Sequence, residues 1–154
     1  MRLWHKGLVP YLPRQQLVSQ WREVCLIANE WAVTNTPNHV LVNEVLNYPI
    51  SHFVSYCNMI FVEMGLRGYK IMPASINRLN ENIKVIDRCE HYNHNLTVGK
   101  NGWINSDIFE NWHNDRYLLQ CYFNLEEKHD RGSISDEDWD VIEDYVSDKL
   151  EYLL

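Results

Sequence analysis

The feature that most constrains the fold is an apolar segment near the middle of the chain. The stretch FVSYCNMIFVEMGL, residues 53–66, carries apolar side chains on nearly every side of a helical projection. Such a helix is stable in water only when other elements surround it. Ser51 suits the cap at the start of this helix, and Gly68 suits a left-handed end. The sequence therefore predicts a buried central helix on which the rest of the chain packs.

Other segments carry narrower apolar stripes, typical of helices that cover a core. Apolar residues at three- and four-residue steps predict helices over 13–31, 75–88 and 135–153. A helix is also predicted over 36–47, which Thr36 and Pro37 can start and Pro49 can end, and another over 115–128, which HDRGS ends. Pro13 suits a first helical turn, and Ser135 with Asp138 resembles a capping box. Residues 89–106 are polar and contain two glycines, which predicts a long loop. Since no segment alternates with period two, we expect an all-α fold: a compact single domain of about five to six helices over 1–154.

The net charge of −7 is concentrated at one end of the chain. Residues 133–154 hold eight acidic side chains and one basic one, while the other 132 residues carry 13 acids and 13 bases. The first 22 residues contain four basic residues and no acid. An acidic total therefore does not exclude a nucleic-acid partner, because the N-terminal segment is locally basic. We interpret the acidic last helix as a solvated face; a docking surface for a basic partner, or a mimic of DNA, is the alternative.

Several classes of protein are disfavoured by composition. No run of about 18 apolar residues is present, so we expect no membrane partner. A signal peptide needs an apolar core, and the N-terminal segment has none because charged residues and prolines interrupt it: Lys6, Pro10, Pro13 and Arg14. We therefore expect no signal peptide and a cytoplasmic location. The four cysteines are then expected to be reduced thiols. No glycine-rich phosphate loop appears, so we expect no nucleotide cofactor. We also expect the protein to be a monomer.

The α-amine of Met1 is a candidate nucleophile. Its unperturbed pKa is about 7.7–8.0, against about 10.4 for a lysine, so more of it is neutral near pH 7. A neutral amine can attack a sugar carbon and form a Schiff base, given an ordered terminus and a carboxyl group that moves protons. Trp4 can order the terminus, Glu23 can supply the carboxyl, and Arg22 can hold a phosphate. Alternatively, Trp4 is a core residue and Arg22 with Glu23 is a solvated surface pair.

The same residues resemble a known family. The opening MRLWHKGLVPYLPRQQLVSQWREV, the block VEMGLRGYKI and the later NDRYLLQCYFNLEEKHDRG resemble the pyrimidine-dimer DNA glycosylases, also called endonuclease V, and above all their bacterial branch. The resemblance implies a compact helical fold and a base-excision DNA repair glycosylase with abasic-site lyase activity. It implies damaged double-stranded DNA as the partner and no metal or organic cofactor. It also implies that the Met1 amine attacks the sugar, that Glu23 is the catalytic carboxylate and that Arg22 contacts DNA.

The chain departs from the family pattern close to the candidate amine. Position 2 is Arg2, which is too large for efficient removal of the first methionine, so Met1 is expected to remain the terminal residue. Leu3 and Leu26 stand where the phage member of the family has basic residues. The expected DNA contacts are therefore the remaining basic side chains of the segment: Arg2, His5, Lys6, Arg14 and Arg22. The alternative function is a non-catalytic helical module that keeps the scaffold and binds nucleic acid or protein.

Other side chains have weaker functional interpretations. His5 is either a proton shuttle beside the amine or a ring packed near Trp4. The segment CEHYNH, with His113 and His129 downstream, offers zinc-type ligands at Cys89, His91 and His94, but the spacing fits no standard site, so we predict surface loop histidines. Four aromatic residues could stack on bases, but their helical spacing favours core packing. These are Tyr117, Tyr122, Phe123 and Tyr152.

Overall fold

The computed structural model describes residues 1–89 and 96–151, and over these ranges the chain is helical without a strand. The α-helices are α1 (Arg14–Thr34), α2 (Ile50–Leu66), α3 (Pro73–Cys89), α4 (Asp115–Asp130) and α5 (Asp136–Lys149). Two 3₁₀ helices cover Lys6–Tyr11 and Asn43–Asn47. The prediction of a compact all-α fold is confirmed. None of the described helices is long and apolar enough to cross a membrane.

α2 is the buried central helix that the apolar segment predicts. It packs against α1, α3 and both 3₁₀ helices, and side chains around its circumference are buried. Gly68 ends it at φ 76°, where the N–H of Tyr69 donates to the carbonyl of Met64 at 2.9 Å. The start differs from the prediction: the helix begins at Ile50 after Pro49, so Ser51 lies inside the first turn instead of capping it.

The continuous helix predicted over residues 36–47 is wrong. Asn35 ends α1 at φ 64° and Asn38 follows at φ 54°, and consecutive helical turns cannot include such left-handed residues. The side chain of Asn43 accepts the backbone N–H of His39 at 3.0 Å. This local bond competes with helix formation, so only the short 3₁₀ helix remains.

The N-terminal segment is part of the hydrophobic core. Leu3 and Leu8 are fully buried and Trp4 is 7% exposed, and all three join a cluster that reaches Leu150 on the far end of the chain. Full burial of side chains this large stabilises a fold by about 1.5–3 kcal/mol each. The buried side chains of Leu3, Trp4 and Leu8 therefore anchor the segment in the core, which limits where Met1 can lie.

The predicted loop is irregular over the described residues 96–106, yet buried polar side chains fix it. Asn58 on α2 is fully buried, and its Nδ2 donates to the carbonyls of Thr97 at 3.0 Å and Trp103 at 3.1 Å. Its Oδ1 accepts the N–H of Gly99 at 3.1 Å. Gly102 lies so close to this amide that a Cβ atom there would overlap it.

We expect Gly102→Ala to lower the free energy of unfolding by about 1–3 kcal/mol, because the added methyl group overlaps the buried Asn58 amide. Thermal denaturation followed by circular dichroism measures the change. Gly65→Ala in α2 is the matched control, since no atom lies within 4 Å of its Cβ position. That variant should melt at the wild-type temperature or above it, because alanine favours a helix over glycine by about 1 kcal/mol. Equal melting temperatures for both variants would contradict the close approach.

Candidate active site

Gln20 on α1 connects the N-terminal segment to the helix. Its side chain is fully buried, and its Oε1 accepts the backbone N–H of Trp4 at 2.8 Å. Its Nε2 donates to the carbonyl of Arg2 at 2.9 Å and to Oε2 of Glu23 at 3.0 Å. The hydroxyl of Tyr56 lies 2.9 Å from Oε1. The same hydroxyl lies 2.7 Å from the carbonyl of Trp4, so residues 2–4 have a defined position against α1.

Glu23 lies one turn after Gln20 and is half-buried beside the chain terminus. Burial raises the pKa of the Glu23 carboxyl above its usual value. The positive charge of the N-terminal amine and hydrogen bonds from the Arg2 backbone N–H and Gln20 oppose this rise only in part. A carboxyl group with a raised pKa next to an amine is suited to exchange protons with it.

The side chain of Arg2 turns back onto the protein. Its guanidinium carbon lies 5.5 Å from the centre of the Trp4 indole and neighbours the buried thiol of Cys121, whose pKa burial raises. The backbone N–H of Arg2 donates to the Glu23 carboxylate, and its carbonyl accepts a hydrogen bond from Gln20, so residue 2 is held on both sides. The Met1 side chain remains exposed at 45%, one residue beyond the one that bonds to the carboxylate. Arg2 therefore orients the chain end.

His5 and Lys6, expected to contact DNA, make internal contacts. Nε2 of His5 donates to the carbonyl of His113 at 3.0 Å, and its Nδ1 accepts the N–H of Gly7 at 3.0 Å. Burial lowers the pKa of His5 to about 4, so the ring is neutral and packed, as the alternative interpretation has it. Nζ of Lys6 donates to the carbonyls of Ser106 at 2.6 Å and Ile108 at 2.7 Å.

Arg22 and Arg14 are the exposed cations of α1. Arg22 directly precedes Glu23 in the sequence. The guanidinium of Arg14 lies 4.5 Å from the centre of the Tyr69 ring, and about 13 Å of helix axis separates Arg14 from Glu23. The structure thus brings Met1, Arg2 and Glu23 together and places Arg14 apart from them, at the start of the same helix.

The sequence did not place Gln20, Tyr56, Tyr117 or His113 near the chain terminus; it suggested Tyr117 only for stacking on bases and His113 only as a metal ligand. The hydroxyl of Tyr117 donates to the carbonyl of Leu3 at 2.6 Å, and Nδ1 of His113 accepts the N–H of Lys6 at 2.9 Å. Only the position of Gln20, three residues before Glu23 on one helix face, offered a signal. The others approach the terminus from more than 50 residues away.

The weaker interpretations have mixed outcomes. The proposed ligands His91 and His94 and the aromatic Tyr152 lie outside the described residues, as does the side chain of Cys89. The prediction of surface loop histidines is wrong for His113, which is buried, and for His129, which lies in α4. His129 stacks on Trp139 at 5.2 Å and bonds to Asp136 at 2.7 Å. Tyr122 is buried as predicted, but Phe123 is 54% exposed, so core packing is wrong for that residue.

Comparison with known proteins identifies the family to which the chain belongs. The family model of the pyrimidine dimer DNA glycosylases matches residues 1–77, half of the chain. Neither the curated proteins nor the solved structures contain a match. The matched half includes Arg2, Gln20 and Glu23, which form the contacts around the terminus. The family is one of DNA repair glycosylases, so DNA is the substrate that it implies. The chain belongs to the pyrimidine dimer DNA glycosylase family.

Proposed function

We propose that this protein is a DNA glycosylase with abasic-site lyase activity, in which the Met1 α-amine is the nucleophile and Glu23 the catalytic carboxylate. The observation that supports it best is the placement of the chain end beside a half-buried carboxyl group with a raised pKa. Family membership supports damaged double-stranded DNA as the substrate. The enzyme must extrude a nucleotide to reach its glycosidic bond, as enzymes that act on bases in duplexes do.

The proposed reaction begins with the neutral amine. Its nitrogen attacks C1′ of the damaged nucleotide, the bond from C1′ to the base breaks, and the base leaves as its electron pair takes up a proton. Glu23 accepts a proton from the attacking nitrogen and returns it to O4′ as the sugar ring opens to a Schiff base. Glu23, ionised again, then takes a proton from C2′, the bond from C3′ to its oxygen breaks so that the 3′ phosphate leaves, and water releases the amine. No step of this route requires a metal ion or an organic cofactor.

We assign the phosphate contacts to Arg22 and Arg14, which are exposed on α1. Arg2 is half-buried and its side chain also bonds to the Cys121 thiol, and the amine of the half-buried Lys6 already donates to two carbonyls, so both have less freedom to meet a phosphate. Neutral substitution of either α1 arginine should weaken binding and flatten its dependence on salt, because fewer counterions are released from the DNA.

Borohydride trapping tests the proposal directly. Wild-type protein mixed with an abasic-site duplex and sodium borohydride should give a covalent adduct, because borohydride reduces a Schiff base to a stable amine. Peptide mapping should place the adduct on residue 1, and intact mass should show Met1 in place. Acetylation of the α-amine should remove the adduct, since an amide nitrogen is not nucleophilic.

The control is an undamaged duplex of the same sequence, which should give no adduct. An adduct on a lysine, or an undiminished adduct after N-terminal acetylation, would exclude Met1 as the nucleophile. Duplex binding that falls with salt but gives no adduct would instead favour the non-catalytic nucleic-acid-binding module. No binding at low salt would favour a protein-interaction role.

A further inference from the structure

The second half of the chain contacts the N-terminal segment at several residues. Tyr117, in the first turn of α4, donates its hydroxyl to the carbonyl of Leu3 at 2.6 Å. His113, two residues before α4, accepts the N–H of Lys6 on Nδ1 at 2.9 Å. The carbonyl of His113 also accepts Nε2 of His5 at 3.0 Å. Both side chains lie beyond residues 1–77, which the family model matches.

The hydrogen bonds of His113 define its ring. Because Nδ1 accepts the Lys6 N–H, the proton of this neutral ring is on Nε2. The ring is 5% exposed, and burial lowers its pKa well below the usual value. Nε2 is buried without a hydrogen-bond partner among the described residues. An apolar side chain would fill the site without this unpaired donor, so packing alone does not explain a histidine here.

The start of α4 holds these two side chains in place. The Oδ1 of Asn114 accepts the N–H of Tyr117 at 3.0 Å and so caps the helix. The rings of His113 and Tyr117 lie 4.9 Å apart, and the His113 ring stacks on His5 at 5.3 Å. Both contacts with the N-terminal backbone therefore come from one rigid turn.

We propose that Tyr117 and His113 are positioning residues that hold the backbone of residues 3–6, so that the chain is fixed to within two residues of the amine that meets the sugar. Gln20 holds the same segment from the side of α1. The consequence for the rate rests on the proposed amine chemistry, whereas the ordering of the segment does not. A loosely held nucleophile loses much of the advantage of proximity, which makes the rate sensitive to these contacts.

The test compares Tyr117→Phe with Tyr122→Phe, the same change on the same helix where the ring packs on Trp139 at 5.1 Å. We expect Tyr117→Phe to lower the single-turnover rate of adduct formation with abasic-site duplex by about tenfold. The Kd for the duplex should stay close to the wild-type value, because neither hydroxyl is proposed to touch DNA. Hydrogen–deuterium exchange should quicken at the Trp4 amide. Tyr122→Phe should match wild type in all three measurements.

A second pair of variants tests His113. Asparagine carries an oxygen near the position of Nδ1 and can still accept the Lys6 N–H, whereas leucine cannot. His113→Asn should therefore retain more of the wild-type rate and exchange protection than His113→Leu. If the leucine variant fails to fold, Tyr117→Phe and His113→Asn still test whether these residues position the N-terminal segment.

The outcomes separate the two proposals. Wild-type rate and exchange in Tyr117→Phe would overturn the positioning role and leave the amine chemistry standing. Absence of an adduct in wild type would overturn the amine chemistry, while exchange at Trp4 would still report whether Tyr117 orders the segment. An equal fall in rate in both tyrosine variants would overturn the role of the hydrogen bond to Leu3, because general packing would then account for the effect.

Discussion

Glu23→Gln is expected to lower the rate of strand cleavage at an abasic site by about 10²–10⁴-fold, the usual contribution of a positioned acid–base group. Glutamine has the same length, and its oxygen can still accept the N–H of Arg2. It cannot take up a proton from the attacking amine or deliver one to the sugar oxygen. Single-turnover cleavage of an abasic-site duplex measures the effect, and the duplex Kd should stay close to the wild-type value.

Thermal stability separates this loss of chemistry from a loss of fold. Burial raises the pKa of Glu23 in the folded protein above 4.5, so the ionised carboxylate is disfavoured there. The stability contributed by this group is fully present below pH 4.5 and is lost as the pH rises through the folded pKa. Glutamine does not titrate. The melting temperature of the variant should therefore equal that of the wild type at about pH 4 and exceed it at about pH 8.

Glu30→Gln is the matched control, because Glu30 is also half-buried on α1, seven residues after Glu23. Its carboxylate lies 3.5 Å from the Thr34 hydroxyl, near the end of the helix and away from the chain terminus. This variant should cleave DNA at the wild-type rate. A cleavage rate for Glu23→Gln equal to that of the control would remove Glu23 from the mechanism.

Gln20→Met should lower the free energy of unfolding by about 2–5 kcal/mol, because buried hydrogen-bonding groups lose their partners. Methionine has a similar length but cannot pair with the Trp4 N–H or with the Arg2 carbonyl. The Glu23 carboxylate also loses one donor. Urea denaturation followed by tryptophan fluorescence measures the loss. Borohydride trapping under native conditions should fall as well, since residues 2–4 are no longer held on α1.

Gln16→Met provides the comparison, one helical turn before Gln20. Gln16 is 8% exposed, and its Oε1 is buried without a hydrogen-bond partner among the described residues. Removing an unpaired amide oxygen should change the free energy of unfolding by less than about 1 kcal/mol, or increase it. If both variants lost the same stability, the loss at Gln20 would reflect the change of shape and not its hydrogen bonds.

The helices themselves are largely encoded in local sequence. The all-round apolar residues 53–66 become the central helix, Gly68 ends it, and the side chain of Ser135 caps α5 by accepting the N–H of Asp138 at 3.2 Å. These signals depend on neighbours within a few residues, so they can be recognised in the sequence without knowledge of the fold. The segment 36–47 shows the limit, because side-chain bonds such as that of Asn43 to His39 compete with an equally local helical pattern.

The sequence by itself determined the helical class, the family resemblance and the presence of a basic N-terminal segment that Glu23 directly follows. Only the tertiary structure decided how residues 1–6 are held. The bonds from Gln20 to Trp4 and from Tyr117 to Leu3 join residues 16 and 114 positions apart. It also decided that Lys6 and His5 bond to backbone carbonyls of the protein while Arg22 stays exposed. The physical reason is that helical periodicity reports which face of each helix is buried, whereas a hydrogen bond between distant segments depends on how the helices pack.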